Sequence, residues 1–115
     1  MSSRRQKRVS RLIKEELSRL LIEEFQNSFS GLITITRVEM SNDLKTAYVS
    51  ISFYGQNKKE EILEFLEKKK GYLRKSIASR VKLKYNPMLI FSLDRTSEYE
   101  ERIEKLIKIA RKNEK

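Results

Sequence analysis

Apolar residues recur along this chain with two different periods, and the changes of period divide it into elements. Between Gln6 and Gln26, Val9, Ile13, Leu17, Leu20, Leu21 and Phe25 recur mainly at three- and four-residue steps, and Leu12 widens the stripe. That is the apolar face of an α-helix, with Arg8, Arg11, Glu15, Arg19 and Glu23 falling largely off it. Asn27 and Ser28, followed by Gly31, supply the stop. The period then shortens. Residues 32–40 are rich in β-branched side chains. Residues 46–54 alternate, with Ala47, Val49, Ile51 and Phe53 on one face and Thr46, Tyr48, Ser50, Ser52 and Tyr54 on the other. Between them Ser41–Lys45 is a polar, turn-rich stretch of hairpin length, so the pattern predicts an antiparallel hairpin.

The longer period returns at residues 58–70, where Ile62, Phe65, Leu66 and Lys69 share a face. Glu60, Glu61, Glu64 and Glu67 come early and Lys68–Lys70 late, which suits the helix dipole. Gly71 then predicts a break or a kink, because glycine costs up to ~1 kcal/mol in a helix interior. A second short helix over 72–80 would bury Leu73 and Ile77, with Val81 beyond them. Residues 82–93 read as a third strand with Leu83, Tyr85, Leu89, Phe91 and Leu93 on one parity, and Pro87 makes it an edge strand or marks a bulge. After a loop at 94–97, residues 98–112 read as a last helix with Tyr99, Ile103, Leu106, Ile107 and Ala110 as its stripe. Ser97 and Glu100 have capping-box spacing. The expected order is helix, strand, strand, helix–kink–helix, strand, helix: an α+β fold of two layers, a sheet covered on one face by helices. No repeat, low-complexity tract or linker divides the chain. One domain over 1–115 is therefore expected, with its core at about 6–94 and the C-terminal helix at about 98–112.

Charge adds a second pattern. Residues 1–14 carry Arg4, Arg5, Lys7, Arg8, Arg11 and Lys14 and no acid; residues 68–84 carry Lys68, Lys69, Lys70, Arg74, Lys75, Arg80, Lys82 and Lys84 and no acid. These blocks hold 14 of the 26 basic residues, whereas the rest of the chain has 12 basic and 16 acidic residues, so the net charge of +10 is concentrated in them. Two basic blocks on a mildly acidic body are the footprint expected of a polyanion-binding surface. Composition also narrows the chemistry. There is no Cys and no His, which removes thiolate chemistry and the commonest general base and metal ligand. Glu60, Glu61 and Glu64 cluster at helical spacing, but Lys58 and Lys59 adjoin them and a solvated face explains them. No Walker-type phosphate loop is present. No apolar run approaches the ~20 residues of a membrane span, and the basic N-terminus leads into a charged amphipathic segment rather than a signal peptide.

The same element order is that of the prokaryotic, type II KH domain, and the chain resembles the bacterial ribosome-binding factor A family over roughly residues 5–112. The resemblance is carried by Arg8-Val9-Ser10 opening the long helix and by Val38-Glu39-Met40-Ser41-Asn42-Asp43-Leu44 before Ala47-Tyr48-Val49-Ser50. Gly71-Tyr72-Leu73-Arg74, then Arg80-Val81-Lys82-Leu83-Lys84 running into Pro87, Leu89-Ile90-Phe91 and Asp94, complete it. Ordinary KH domains grip RNA with a Gly-x-x-Gly loop. Gly31, Gly55 and Gly71 form no such loop. The family has an Ala-x-Gly kink instead; here Lys69-Lys70-Gly71 keeps the glycine and replaces the alanine with lysine. The charged C-terminal tail common in the family is not expected, since the chain stops soon after its last helix.

What the resemblance implies is a non-enzymatic assembly factor of the small (30S) ribosomal subunit. It would bind that subunit through its rRNA and assist late maturation and 5′-end processing of 16S rRNA, with importance at low temperature. It would be cytoplasmic and monomeric, with no cofactor, no metal, no small-molecule substrate and no membrane partner. The candidate RNA-binding residues are Arg4, Arg5, Lys7, Arg8, Arg11, Lys45, Lys68, Lys69, Lys70, Arg74, Lys75, Arg80, Lys82 and Lys84. Lys82 and Lys84 would project from one side of the third strand and line a groove with the crossover helices. Tyr48, Tyr54, Tyr72 and Tyr85 are candidates for stacking on bases, but Tyr85 and Phe91 fall on the apolar parity and are expected in the core, with Phe25, Phe53 and Phe65. Two other readings compete: a basic RNA-binding protein without subunit specificity, and a membrane-surface protein using helix 4–25. Glu15, Glu16, Glu23 and Glu24 oppose the second. A metal-dependent nuclease is remote for want of His and Asp.

Overall fold

Ser3 starts the first helix. Its hydroxyl accepts from the Gln6 backbone N–H at 3.1 Å, and the Gln6 side chain accepts from the Ser3 N–H at 2.8 Å, a reciprocal capping box. The structure, a computed structural model, describes residues 3–25, 31–94 and 109. Within it α1 spans Arg4–Leu20, two residues earlier than the apolar stripe alone predicts, and continues as one π-helical turn, Leu21–Phe25. The wide turn keeps both Leu21 and Phe25 buried while Ile22, Glu23 and Glu24 face solvent. The stop expected at residues 27–28 lies outside the described residues. So does the C-terminal helix, of which only Ile109 is described, helical and exposed.

The hairpin forms as the alternation predicts, from β1 (Gly31–Met40) and β2 (Thr46–Gly55). Its register contains one irregularity. Ile35 faces Ile51 but Arg37 faces Ser50, so Thr36 is an extra residue in β1, and its hydroxyl donates to the Ser50 carbonyl at 3.2 Å. This bulge reverses the parity of the strand. Ile33 and Ile35 before it, and Val38 and Met40 after it, all turn toward the helices.

Residues 59–80 form one uninterrupted helix, α2 (Lys59–Arg80), so Gly71 does not divide it. Ile62, Leu66, Leu73 and Ile77 are buried along it. The half-buried lysine between them is Lys70, not Lys69, which is exposed. Burial of those side chains, each worth ~1.5–3 kcal/mol, outweighs the ~1 kcal/mol that one glycine costs a helix.

The third strand is shorter than expected: β3 is Met88–Leu93, parallel to β2 from Thr46↔Met88 to Ile51↔Leu93. Sheet order is β1-β2-β3, with β2 central. Residues 82–87 are outside the sheet for two reasons. Pro87 has no N–H to donate to a ladder. The Arg74 side chain takes the carbonyls of Asn86 and Pro87 at 3.0 and 2.9 Å, which holds this stretch against α2. Tyr85 is therefore not a core residue; it is 38% exposed. Phe91 is buried, as are Phe53 and Phe25, whereas Phe65 is only half-buried, its ring edge-on to Phe25 at 5.4 Å. The Phe25 ring also meets Tyr72 at 6.1 Å. Both helices thus lie on one face of the sheet, and Tyr48 and Tyr54 stand on the other, 49% and 75% exposed.

Two glycine substitutions test this packing with opposite signs. A Cβ at Gly71 would meet nothing within 4 Å, so Gly71→Ala is expected to raise stability by ~0.5–1 kcal/mol. A Cβ at Gly31 would press on the Tyr54 carbonyl and sit 2.8 Å from both Gly55 Cα and Phe53 Cζ, so Gly31→Ala is expected to lower stability by ~1–3 kcal/mol. Urea-unfolding midpoints of the two variants read both.

Candidate nucleic-acid interface

The β1–β2 turn is built by side chains. The Ser41 hydroxyl donates to Asp43 Oδ1 at 2.6 Å, and the same oxygen accepts from the Lys45 N–H at 3.0 Å. The Ser41 hydroxyl in turn accepts from the Thr46 N–H at 3.0 Å. The Ser41 hydroxyl first, and then the Lys45 N–H, hold the Asp43 carboxyl below its usual value near 3.8. Leu44 adopts a left-handed φ of 62°, unfavourable for a branched side chain, and is held there with its side chain buried. The turn is also tied outward. Met88 N–H donates to the Lys45 carbonyl at 2.8 Å, and Gln6 Nε2 donates to Met40 O at 3.0 Å and to Asn42 Oδ1 at 3.1 Å. Lys45 is therefore set beside the start of β3 and the first turn of α1.

A second junction joins the helices. The Glu16 carboxylate is buried, with its side chain 7% exposed, and accepts from Arg80 at 3.1 Å; Arg19 lies 3.7 Å away. Arg80 also approaches Glu23 at 3.8 Å. Farther along, the Glu24 carboxylate near the Tyr72 hydroxyl raises the phenol above its usual value near 10.0. Beside Arg80 an open groove of about 670 Å³ runs between α1 and residues 80–82, edged by Arg8, Arg19, Arg80 and Lys82 around Glu15 and Glu16.

The structure regroups the predicted cations. Arg4, Arg5, Lys7, Arg8 and Arg11 are exposed on the first turns of α1. Arg8 edges the groove, and Arg5 faces Lys45 and Lys84 across a smaller hollow. Lys82 and Lys84 do not project from a strand; they lie in the connection between α2 and β3, because that strand begins only at Met88. The groove is consequently between α1 and this connection, not between α2 and β3. Lys68, Lys69 and Lys70 stand apart from it: Lys68 is about 18 Å along the helix axis from Arg80 at a 1.5 Å rise per residue. Several of these cations already have partners. Arg80 is paired with Glu16, Arg74 with two carbonyls, Lys68 with Glu64 at 3.8 Å and Lys70 with Glu67 at 2.8 Å, while Lys69 lies over the Phe65 ring at 5.8 Å. Among the described residues Arg5, Arg8, Lys45, Lys75, Lys82 and Lys84 have no carboxylate within 4 Å. Composition alone does not separate paired from unpaired cations, because their carboxylate partners are spread over α1 and α2. Among the described residues no group of three acidic side chains is placed to hold a metal ion.

A helix, a hairpin, a crossover helix and a third strand parallel to the second, with helices on one sheet face only, define a KH-like two-layer α+β protein. Known proteins agree with that class. The family model described as ribosome-binding factor A matches residues 5–107. Ribosome-binding factor A of Halothermothrix orenii is 40% identical over 115 residues, which is 99% of this chain and 94% of that protein. The crystal structure of ribosome-binding factor A from Thermus thermophilus superposes with a TM-score of 0.70 at 21% identity, over 79% of this chain and 97% of that one. A Thermus thermophilus ribosome-binding factor A homology model, fitted into a cryo-EM map of a complex with 30S, superposes with a TM-score of 0.62 at 22% identity over 84% and 98%. The chain belongs to the ribosome-binding factor A family.

Two outcomes follow from this geometry. Arg80→Ala strips the buried Glu16 of its nearest cation and is expected to destabilise the fold by ~1–3 kcal/mol in urea unfolding, with Arg80→Lys restoring part of it. Asp43 titrates below its usual value in the folded state, so its contribution is present above about pH 4 and lost as pH falls through the folded value. Asp43→Asn should therefore lower the urea midpoint at neutral pH, with the two proteins converging as pH falls through the lowered folded value of Asp43.

Proposed function

We propose that this protein is an assembly factor of the small ribosomal subunit that binds it through rRNA and performs no catalysis of its own. The observation that carries this reading is membership of the ribosome-binding factor A family over residues 5–107. The related Thermus protein fitted into the map of a complex with 30S supports the choice of subunit. The step it would assist is late maturation of the subunit, including 5′-end processing of 16S rRNA, in the cytoplasm and with most consequence at low temperature. The 1–115 chain would act as a single domain and as a monomer.

The charge distribution supplies a physical mechanism. Cations without carboxylate partners stand on the first turns of α1, at the β1–β2 turn and in the α2–β3 connection, with Lys75 on α2 besides. Contacts from these to phosphate oxygens orient RNA without reading its bases. Each phosphate neutralised releases counterions, so about six contacts would weaken binding ~10³-fold between roughly 50 and 200 mM salt. A factor held this way can grip rRNA helices while they are still exposed, and leave when the mature contacts bury them. Among the described residues no helix is long and apolar enough to cross a membrane.

Co-sedimentation with separated small subunits, large subunits and assembled ribosomes tests the reading. Selective comigration with free small subunits is expected, weakening as salt rises but keeping its selectivity. Equal binding to all three, lost as salt rises, would reduce the protein to a general polyanion binder. Arg5→Glu, Arg8→Glu and Lys82→Glu together should weaken the interaction and flatten its salt dependence. Lys68→Glu, on α2 away from the groove, should change it less.

A further inference from the structure

A hollow of about 300 Å³ lies between the start of α1 and the α2–β3 connection, lined by Arg5, Asn42, Asp43, Lys45, Lys84 and Tyr85 among others. Its chemistry is unlike that of the groove beside Arg80. Three cations converge on it, and none has a carboxylate within 4 Å among the described residues. Its wall includes an aromatic ring. The Lys45 and Lys84 ammonium groups lie 5.2 and 5.5 Å from the centroid of the Tyr85 ring, which is otherwise open to solvent. Its floor is rigid, because the turn is braced by Ser41, Asp43 and Gln6 and its backbone is bonded to β3. Gln6 occupies the Asn42 carboxamide oxygen, which leaves the Asn42 amide N–H₂ as a donor at the rim, with the Asp43 carboxylate beside it as an acceptor.

We propose that this hollow binds one unpaired nucleotide of RNA, its base stacked on Tyr85 and its phosphate held by Arg5, Lys45 and Lys84. This rests on the reading of the protein as an rRNA binder and names the class of element it takes. A site for phosphate alone would have no use for an aromatic wall. A paired base keeps both its faces within the helical stack, so a duplex cannot offer one to the ring, whereas a nucleotide in a loop, bulge or end can. Lysine ammoniums over the ring are mobile cations on long stems; an arriving base displaces one of them from the ring face toward the phosphate. Asn42 and Asp43 then meet the edge of the base with a donor and an acceptor.

The test is an NMR titration of the full chain with a single-stranded tetranucleotide, the same sequence in the interior of a longer, stable duplex, and inorganic phosphate. The single strand is expected to shift the Tyr85 ring protons upfield, and the duplex and phosphate are not. Tyr85→Leu should weaken the single strand roughly tenfold, as the loss of one base–aromatic stack does, and Tyr85→Phe should keep most of the affinity. Tyr85 is exposed and outside the sheet, and an unchanged urea midpoint for Tyr85→Leu establishes that the variant is folded. Equal responses to phosphate and to the single strand, or a Tyr85 ring that does not move, would overturn the proposal and leave an anion patch only. Co-sedimentation of the same proteins separates the two readings. Subunit binding by wild type that Tyr85→Leu leaves intact, with no ring shift, sinks the hollow but not the subunit assignment. A ring shift without subunit binding does the reverse.

Discussion

The fold and its basic surface both depend on one buried carboxamide. Gln6 satisfies the first helix at its N-cap, the last carbonyl of β1 at Met40 and the side chain of Asn42 in the turn, all from one side chain of a residue that is 7% exposed. A buried amide is stable only when its groups are satisfied, so it fixes the angle at which α1 enters the sheet. That angle sets Arg5 opposite Lys45. The turn then hands the constraint on, through the Lys45 carbonyl to Met88, to the strand that follows the basic connection. Three segments distant in the chain meet in one place because a single side chain and the turn it braces reach all of them.

A chain with this much positive charge has to keep part of it for itself. Arg80 anchors α2 to the buried Glu16, and Arg74 holds the 86–87 stretch out of the sheet. These two arginines are structural although they sit in the most basic segment. Their planar, multidentate heads suit such work, whereas the lysines around them, Lys75, Lys82 and Lys84, remain solvated point charges. Within residues 74–84 the division follows the chemistry of the two side chains: the arginines hold geometry and the lysines are left to meet a mobile polyanion.

How much of this is legible in the sequence depends on whether the signal is local. The alternation of Ala47, Val49, Ile51 and Phe53 is a two-residue period, and β2 forms as it implies. The bulge at Thr36 is also written in the chain, since the inward residues run 33, 35, 38 and 40, and a step of three inside a strand marks an extra residue. The end of β3 nearer α2 is not legible. Leu83 and Tyr85 have the right parity for a strand, and what removes them is Arg74, about ten residues upstream, bonding to carbonyls that no local pattern identifies. The same holds for the candidate site. The two basic blocks are visible as composition, but the parity of Tyr85 points to the core, and its place between Lys45 and Lys84 is a property of the tertiary structure.

The parallel pairing of β2 with β3 has a consequence for how the molecule assembles. The hairpin joins neighbours in sequence and can form in ~1–10 μs on its own. β3 can join only after the whole of α2 has been laid across the sheet, and closing a crossover of that length carries an entropic cost that the hairpin escapes. The pairing of β3, and with it the support of the basic connection leading into it, therefore carries a closure cost that the hairpin does not. The positive face is thus assembled from parts of unlike origin: Lys45 belongs to the local hairpin, whereas Lys82 and Lys84 wait on the long crossover.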